Sequence, residues 1–307
     1  MLIALCSVKG SPGVTTLAVA LALTWPHAES TRRLVAEVDP SGGDLAMRFG
    51  LPATPGLVSL AAAARRTVDP AAVWAHTQAL PGGARALVAP PGGAHARAAL
   101  SALAAAPGGP LLPVLARDAG VVVFSDCGRV DPGSPAEAIA RRADALVLVT
   151  GVEGDDLAHI SVRLGELARW TPRPGLLLAG EGYPTAEVER ELGVAAIGRI
   201  PHDPAAAAIL TGQRPPSARR RRGENGGFAR EAAAIARALA APGAPMPAPS
   251  AYGMAVPGVP PQQMRRPGEA VFFPPSRAPR STPRPPQVRD PQRNGPEPHT
   301  AGKEFLR

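Results

Sequence analysis

The sequence has no long apolar run and very few cysteines. No stretch reaches the roughly 18 consecutive apolar residues that a membrane-spanning helix needs. The first apolar run is short, has no basic segment before it and leads directly into a glycine loop, so we expect no signal peptide. Cys6 and Cys127 both lie in apolar, strand-like runs, which favours a buried, reduced pair. We therefore expect a cytoplasmic chain without a transmembrane segment.

Side chains typical of several enzyme classes are also scarce. The two cysteines have no metal-binding spacing, the six histidines are scattered, and no Gly-x-Ser-x-Gly elbow occurs. The formal net charge of +8 comes almost wholly from arginine, because Lys9 and Lys303 are the two lysines of the chain. Lys9 lies in the first glycine loop, and its rarity in this composition suggests that it has a task there.

The composition changes near residue 240. Residues 1–240 alternate apolar runs with helical patterns and are long enough to bury a large core. Residues 241–307 are rich in proline and arginine and poor in large apolar side chains, so we expect a disordered tail. The sequence therefore predicts one domain followed by one tail.

Apolar runs that alternate with helical patterns predict the fold of residues 1–240. Such an alternation is typical of an α/β protein with a doubly wound, mostly parallel sheet covered by helices on both faces. We find no hairpin signals and expect about seven strands. The predicted strands are 2–8, 32–38, 84–89, 120–126, 145–150, 175–179 and 195–200. The predicted helices are 14–25, 45–49, 56–64, 70–79, 95–106, 135–142, 155–170, 184–192 (with Thr185 as N-cap) and 228–240.

The first strand is followed by a glycine loop and then by a helix. Backbone N–H groups and the dipole at a helix N-terminus converge on anions, so this arrangement predicts a phosphate cradle. Threonine hydroxyls at the start of the helix suit Mg²⁺. The cradle comprises Lys9, Gly10, Ser11, Gly13, Val14, Thr15 and Thr16.

This loop resembles the deviant Walker A motif of the ParA/MinD family of P-loop ATPases, K-G-G-x-G-K-T-T. Val14 stands where that motif has the lysine that grips phosphate, so the resemblance implies weakened or lost ATP hydrolysis. The resemblance implies ATP and Mg²⁺ as cofactors and a face-to-face homodimer, in which Lys9 would reach the partner's nucleotide. It also implies that Asp39 orients the attacking water, and that Thr15 and Asp126 hold Mg²⁺.

Other stretches resemble the same family over about residues 1–240. Residues 39–46 and 80–90 are similar to segments of its CpaE/TadZ pilus-assembly branch, and residues 143–150 are similar to the family's A-D-x-V-L-L-V-T. Residues 200–203 resemble its I-P-x-D near the adenine, which adds Pro201 and Asp203 to the expected nucleotide site. Ala179-Gly180-Glu181 departs from the family, which usually has an asparagine there that reads adenine.

Several functions remain open at this point. The first is a factor that positions or recruits a pilus, secretion or septum-related apparatus, reaching the membrane or nucleoid through its partners. The second is a scaffold with the same fold and no nucleotide. The third is a DNA-partitioning ATPase, in which Arg219–Arg222 would contact DNA or another anionic surface. A dinucleotide site is weaker, because the third glycine of G-x-G-x-x-G is missing.

Overall fold

The computed structural model describes residues 1–10, 12–66, 68–107, 110–210 and 226–241. Within these ranges the chain forms eight strands: β1 (Leu2–Ser7), β2 (Arg32–Glu37), β3 (Gln78–Ala79), β4 (Arg85–Leu87), β5 (Val121–Arg129), β6 (Ala145–Gly151), β7 (Pro174–Ala179) and β8 (Ala196–Ile200). The α-helices of the same ranges are α1 (Val14–Thr24), α2 (Leu45–Phe49), α3 (Leu57–Ala63), α4 (Gly93–Ala104), α5 (Leu111–Leu115), α6 (Glu137–Ala140), α7 (Gly154–Leu167), α8 (Thr185–Leu192), α9 (Pro204–Leu210) and α10 (Gly226–Ala240). Two 3-10 helices span Pro70–His76 and Pro81–Gly83.

The eight strands form one sheet in the order β3-β4-β2-β5-β1-β6-β7-β8. Every neighbouring pair is parallel except β3 with β4. The expected doubly wound α/β fold is therefore confirmed. Because β1 lies between β5 and β6, the loop that follows β1 emerges near the middle of the sheet, where loops from neighbouring strands can meet it.

Apolar side chains of the strands pack into a core on each face of the sheet. Along β1, Leu2 and Ala4 face one core, whereas Ile3 and Leu5 face the other. Helix α1 is buried between the sheet and α10, which explains why its sequence is apolar on nearly every side. Because α1 is packed on both sides, by the sheet and by α10, its first turn is held in a fixed position at the carboxyl edge of the strands.

The β3–β4 hairpin differs from the sequence prediction. Residues 70–79 were expected to be one helix, but a 3-10 helix ends at His76 and a two-residue strand follows. Gly82 and Gly83 have φ values of 69° and 77°, and these left-handed residues let the chain reverse between the strands. The strands are too short for an alternating pattern to be recognised.

A few helices also differ from prediction. Helices α5 and α9 were not expected, and the assignment of Thr185 as an N-cap is wrong, because α8 begins at Thr185 without any side-chain cap. The Thr185 hydroxyl instead accepts a hydrogen bond of 3.5 Å from Arg199.

Apart from Ala241, the expected tail lies outside the described residues. No helix in the described ranges is both long and apolar enough to cross a membrane.

Candidate functional site

A cavity of about 740 Å³ lies at the carboxyl edge of the parallel strands. Its walls are the end of β5 and the loops after β1, β2 and β4, together with the first turns of α1 and α2. Among the residues that line it are five that the sequence predicted to form a site: Gly10, Gly13, Val14, Thr15 and Thr16. Asp39 lines it as well, so the structure brings together the loop after β1 and the acid after β2.

The glycine loop leads into α1 with its backbone exposed to this cavity. Gly10 and Gly13 have φ values of 67° and 94°, and a Cβ on either would meet nothing within 4 Å. Gly13 is the N-cap of α1 and provides no side-chain cap. The N–H groups of the first turn therefore have no side-chain acceptor at the helix end, where an anion is stabilised by donors and by the dipole. Ser11 lies outside the described residues.

Val14 brings no charge to the cavity. It is the first residue of α1, is 6% exposed, and packs in the apolar core beneath the helix. A lysine at a helix start could extend its stem along apolar surface and present its ammonium to an anion, but valine has neither reach nor donor. The cavity thus lacks positive charge at the position where the ParA/MinD motif has it.

Thr15 and Asp126 form the polar floor of the site. Asp126 lies in the buried part of β5, and its Oδ1 accepts a hydrogen bond of 3.1 Å from the N–H of Gly128. Burial raises the pKa of the Asp126 carboxyl to about 6, while a hydrogen bond from the side chain of Thr15 opposes the rise. The expected hydroxyl and carboxylate are therefore neighbours, in the combination that suits a hydrated divalent cation.

In the part of the chain that the structure describes, no cluster of three or more His, Cys, Asp or Glu side chains could bind a metal ion. Mg²⁺ is usually held by one or two carboxylates together with water and phosphate oxygens, rather than by a cage of protein side chains. Thr15 and Asp126 fit that pattern.

Asp39 lies over the backbone of Gly128. Its Oδ1 accepts a hydrogen bond of 2.7 Å from the N–H of Ser41, and a Cβ on Gly128 would collide with its carboxylate. Burial raises the pKa of Asp39, whereas the Ser41 hydrogen bonds and the charge of Arg97 lower it. The side chain is half-buried and faces the cavity, where it could orient a water molecule.

Gly128→Ala is expected to destabilise the protein through this contact. Gly128 has a φ of 57°, and alanine there must both adopt the left-handed region and displace Asp39. Gly133→Ala is the matched control, because Gly133 has a φ of 77° but open space at its Cβ position. We expect Gly128→Ala to lower the free energy of unfolding by about 1–3 kcal/mol more than Gly133→Ala in urea titrations. Equal losses would contradict the packing of Asp39 on Gly128.

Glu37 fastens the loop that carries Asp39. Its Oε1 accepts hydrogen bonds of 2.7 Å and 2.8 Å from the N–H groups of Asp44 and Leu45, and its Oε2 accepts one of 2.9 Å from Ala89. The residue is buried and pairs in register with Asp126 on β5. Burial raises the pKa of Glu37 to about 7, although the three backbone hydrogen bonds oppose the rise. Glu37 therefore links, through hydrogen bonds, the two cavity loops that follow β2 and β4.

Stability is expected to fall as the pH rises from about 4.5 to about 7. In that range the folded protein retains the Glu37 proton, whereas the unfolded chain, with a pKa near 4.5, has lost it. Asp126, with a pKa of about 6 instead of 3.8, acts in the same direction. Urea unfolding across this range should give a declining free energy in the wild type and a shallower decline in Glu37→Gln. The same slope in both proteins would contradict the raised pKa of Glu37.

Arg48 is a charged cavity residue that the sequence did not predict, as is Arg129. It lies on α2, and its guanidinium pairs with Asp44 at 2.9 Å and approaches the Thr16 hydroxyl at 3.4 Å. Its charge also lowers the pKa of the buried Asp126. The one sequence signal is its position four residues after Asp44, which predicts a helical ion pair but not its direction. Arg48 brings a guanidinium to the phosphate cradle, where Val14 cannot provide charge.

Lys9 is not among the residues that line the cavity. Its ammonium pairs with the carboxylate of Asp155 in the first turn of α7. Both side chains are substantially exposed, so water and salt screen the pair and make it easy to exchange.

The residues expected near the adenine also lie outside the cavity lining. Asp203 accepts a hydrogen bond of 2.8 Å from the N–H of Ala206 at the start of α9, and Pro201 is exposed. Arg199 donates to the carbonyls of Gly180 and Tyr183, both at 2.9 Å, and so holds the loop after β7. Arg219–Arg222, the proposed DNA contact, lies outside the described residues.

No protein-family model matches the sequence, and no curated protein does either. Solved structures are similar in fold. A ParA family ATPase from Chlorobium tepidum TLS has a TM-score of 0.58 at 17% identity, and the match covers 77% of this chain and 98% of the ATPase chain. The Pyrococcus furiosus cell division ATPase MinD has a TM-score of 0.55 at 18% identity, and the match covers 78% of this chain and 97% of the MinD chain. MinD from Pyrococcus horikoshii, complexed with Mg-ADP, has a TM-score of 0.56 at 16% identity, and the match covers 78% of this chain and 95% of that MinD chain.

These similarities extend over nearly the whole of the three solved chains and over 77–78% of this chain. They agree with the mostly parallel sheet and the helices that cover it. The chain therefore has the fold of the ParA and MinD P-loop ATPases.

Proposed function

We propose that the chain is a ParA/MinD-like protein that binds ATP and Mg²⁺ with weakened or lost hydrolysis. It would position or recruit a pilus, secretion or septum-related apparatus, as the resemblance to the CpaE/TadZ branch implies. The observation that carries the nucleotide part is the cavity itself. The uncapped start of α1, Thr15 and Arg48 all line one concave space, and the buried Asp126 lies beside Thr15.

Each part of the cavity has a role in this proposal. The N–H groups from Gly13 to Thr16 and the guanidinium of Arg48 would hold phosphate oxygens. Thr15 and Asp126 would hold Mg²⁺, which neutralises phosphate charge when bound. Asp39 would orient the attacking water. These assignments use only groups that line the cavity or form its floor.

Hydrolysis is proposed to be slow because Val14 replaces a lysine. Stabilisation of charge that develops during phosphoryl transfer is usually a large part of catalysis, and a lost donor costs roughly 100- to 1000-fold in rate. Arg48 provides charge from α2, but its pairing with Asp44 reduces what remains for phosphate. Binding is therefore expected to persist where catalysis is poor.

A homodimer belongs to the same proposal. Lys9 would leave Asp155 and contact the nucleotide of a second copy, which the weakness of the exposed pair permits. Among the similar structures, a MinC:MinD complex from Aquifex aeolicus records a fold relative assembled with a protein partner. For this chain we propose an analogous role, in which nucleotide binding controls recruitment.

Isothermal titration of the full chain with Mg-ATP tests the proposal. We expect saturable binding in the wild type and in Arg190→Ala, a control for an exposed arginine on α8. Lys9→Ala should weaken binding under conditions in which light scattering shows a dimer. The absence of both saturable heat and an increase in Tm with Mg-ATP would overturn the nucleotide proposal and favour the scaffold.

The scaffold alternative has one specific observation in its favour. Val14 is integrated into the apolar core with Leu17 and Leu21, as expected if the loop serves only as a turn between β1 and α1. The presence of Arg48 in the cavity argues against it, because a structural turn has no need for a nearby guanidinium.

A further inference from the structure

A second cleft of about 760 Å³ lies at the opposite, amino edge of the sheet. It is bounded by the starts of β2 and β4, the 3-10 helix before β3, and the β3–β4 turn. A six-residue strand is about 20 Å long, so this cleft is separated from the glycine-loop cavity by roughly that distance. None of the functions considered above uses it.

Three arginines line this cleft: Arg32, Arg33 and Arg85. Within the described ranges, none of the three forms an ion pair with a carboxylate, since all the ion pairs found there involve other residues. Glu29 is the one acidic residue of the cleft lining, and it is exposed. The lining therefore has an excess of positive charge in a concave site, where low-dielectric walls concentrate the field.

The three guanidiniums differ in what they already bind. Arg33 is buried and donates to the carbonyls of Ala22 at 2.8 Å and Gly82 at 2.7 Å, which ties α1 to the hairpin turn. Arg85 donates to the hydroxyl and carbonyl of Thr77. Arg33 is thus a structural residue, whereas Arg85 is partly exposed and retains donors.

Arg32 is held in place without using its hydrogen bonds. Its guanidinium lies over the ring of Trp74, 3.8 Å from the ring centroid, and among the described residues its side chain donates to no acceptor. Stacking on an aromatic face leaves the planar edge of the guanidinium available for an oxyanion. Gly82 and Gly83 also line the cleft and bring no side chain into it.

We propose that this cleft binds a small anion with two or more oxyanion groups, carried as phosphates or as carboxylates. Arg32 and Arg85 would each pair with one group, since a guanidinium fork matches an oxyanion through two parallel hydrogen bonds. The volume falls within the range of small-molecule sites, about 300–1000 Å³. The site goes beyond the proposed nucleotide function and does not depend on it.

Trp74 provides a local reporter of binding. We propose to titrate the full chain with pyrophosphate and, separately, with citrate, following tryptophan fluorescence and heat. An anion that draws Arg32 from the ring should change the emission of Trp74 and saturate. Tighter binding of pyrophosphate would identify phosphates as the source of the oxyanions, and tighter binding of citrate would identify carboxylates.

Variants decide where the anion binds. Arg32→Gln combined with Arg85→Gln should weaken the binding that Trp74 reports at least tenfold, whereas Arg190→Gln should leave it unchanged. Trp74→Phe should remove the fluorescence response but preserve the heat of binding. Failure of both anions to produce a saturable Trp74 response, or an unchanged affinity in the double variant, would overturn the proposal. Circular dichroism of the double variant excludes unfolding as the cause of a loss.

Discussion

Val14→Lys is expected to raise the rate of ATP hydrolysis by roughly 100-fold or more, from a wild-type rate near background. The reason is geometric as well as electrostatic. Position 14 is the first residue of α1 and lines the cavity, as do Thr15 and Asp39, and Asp126 lies beside Thr15. A lysine stem can follow the apolar surface that Val14 now covers and place its ammonium in the cavity.

Phosphate release from Mg-ATP measures this effect. Val162→Lys is the matched control, because Val162 is 54% exposed on α7 and away from the cavity lining. It should leave the rate at the wild-type value. If Val14→Lys folds, binds Mg-ATP and still does not hydrolyse it, then the remaining residues do not form a catalytic site, and the idea of a single altered position is wrong.

Arg48→Ala is expected to weaken Mg-ATP binding by roughly 10- to 100-fold, as is typical when a charge-assisted hydrogen bond is lost. The loss has two causes. The cavity loses the guanidinium near Thr16, and Asp44 is left with an uncompensated charge beside the bound phosphates. Arg48→Lys keeps the charge but not the forked geometry, so its affinity should lie between those of the wild type and Arg48→Ala.

Titration calorimetry on the three proteins ranks these affinities, with Arg190→Ala as the control for removal of a surface arginine. Because Arg48 is partly exposed on a short helix, its removal should change Tm very little. Wild-type affinity in Arg48→Ala would show that the backbone of the glycine loop binds nucleotide without help from α2.

Strands buried on both faces made the fold predictable. The apolar segments of β1, β5 and β6 pack on helices from either side, so each reads as a continuous run between polar loops. The β3–β4 hairpin was missed because its strands contain two and three residues, too few for a pattern. The local backbone at Gly82 and Gly83, rather than periodicity, determines that turn.

The predicted site residues that line the cavity or form its floor lie near the carboxyl ends of parallel strands or in the loops and helix start that follow them. Thr15, Asp39 and Asp126 come together because parallel strands deliver their carboxyl ends to one edge. The position of the Arg48 side chain in the cavity depends on how the short helix α2 is oriented. Lys9 pairs with a residue 146 positions away in the sequence. Neither spacing nor composition contains that information, so these contacts required the structure.

Hydrogen–deuterium exchange with and without Mg-ATP tests the central claim, that the cavity at the carboxyl edge binds a nucleotide. If the cavity binds nucleotide, exchange should slow in the N–H groups at the start of α1 and in the loop that Glu37 holds, residues 39–45. Peptides from the cleft beside Trp74 should be unchanged. Unchanged exchange at both cavity segments, or protection confined to the opposite edge of the sheet, would contradict it.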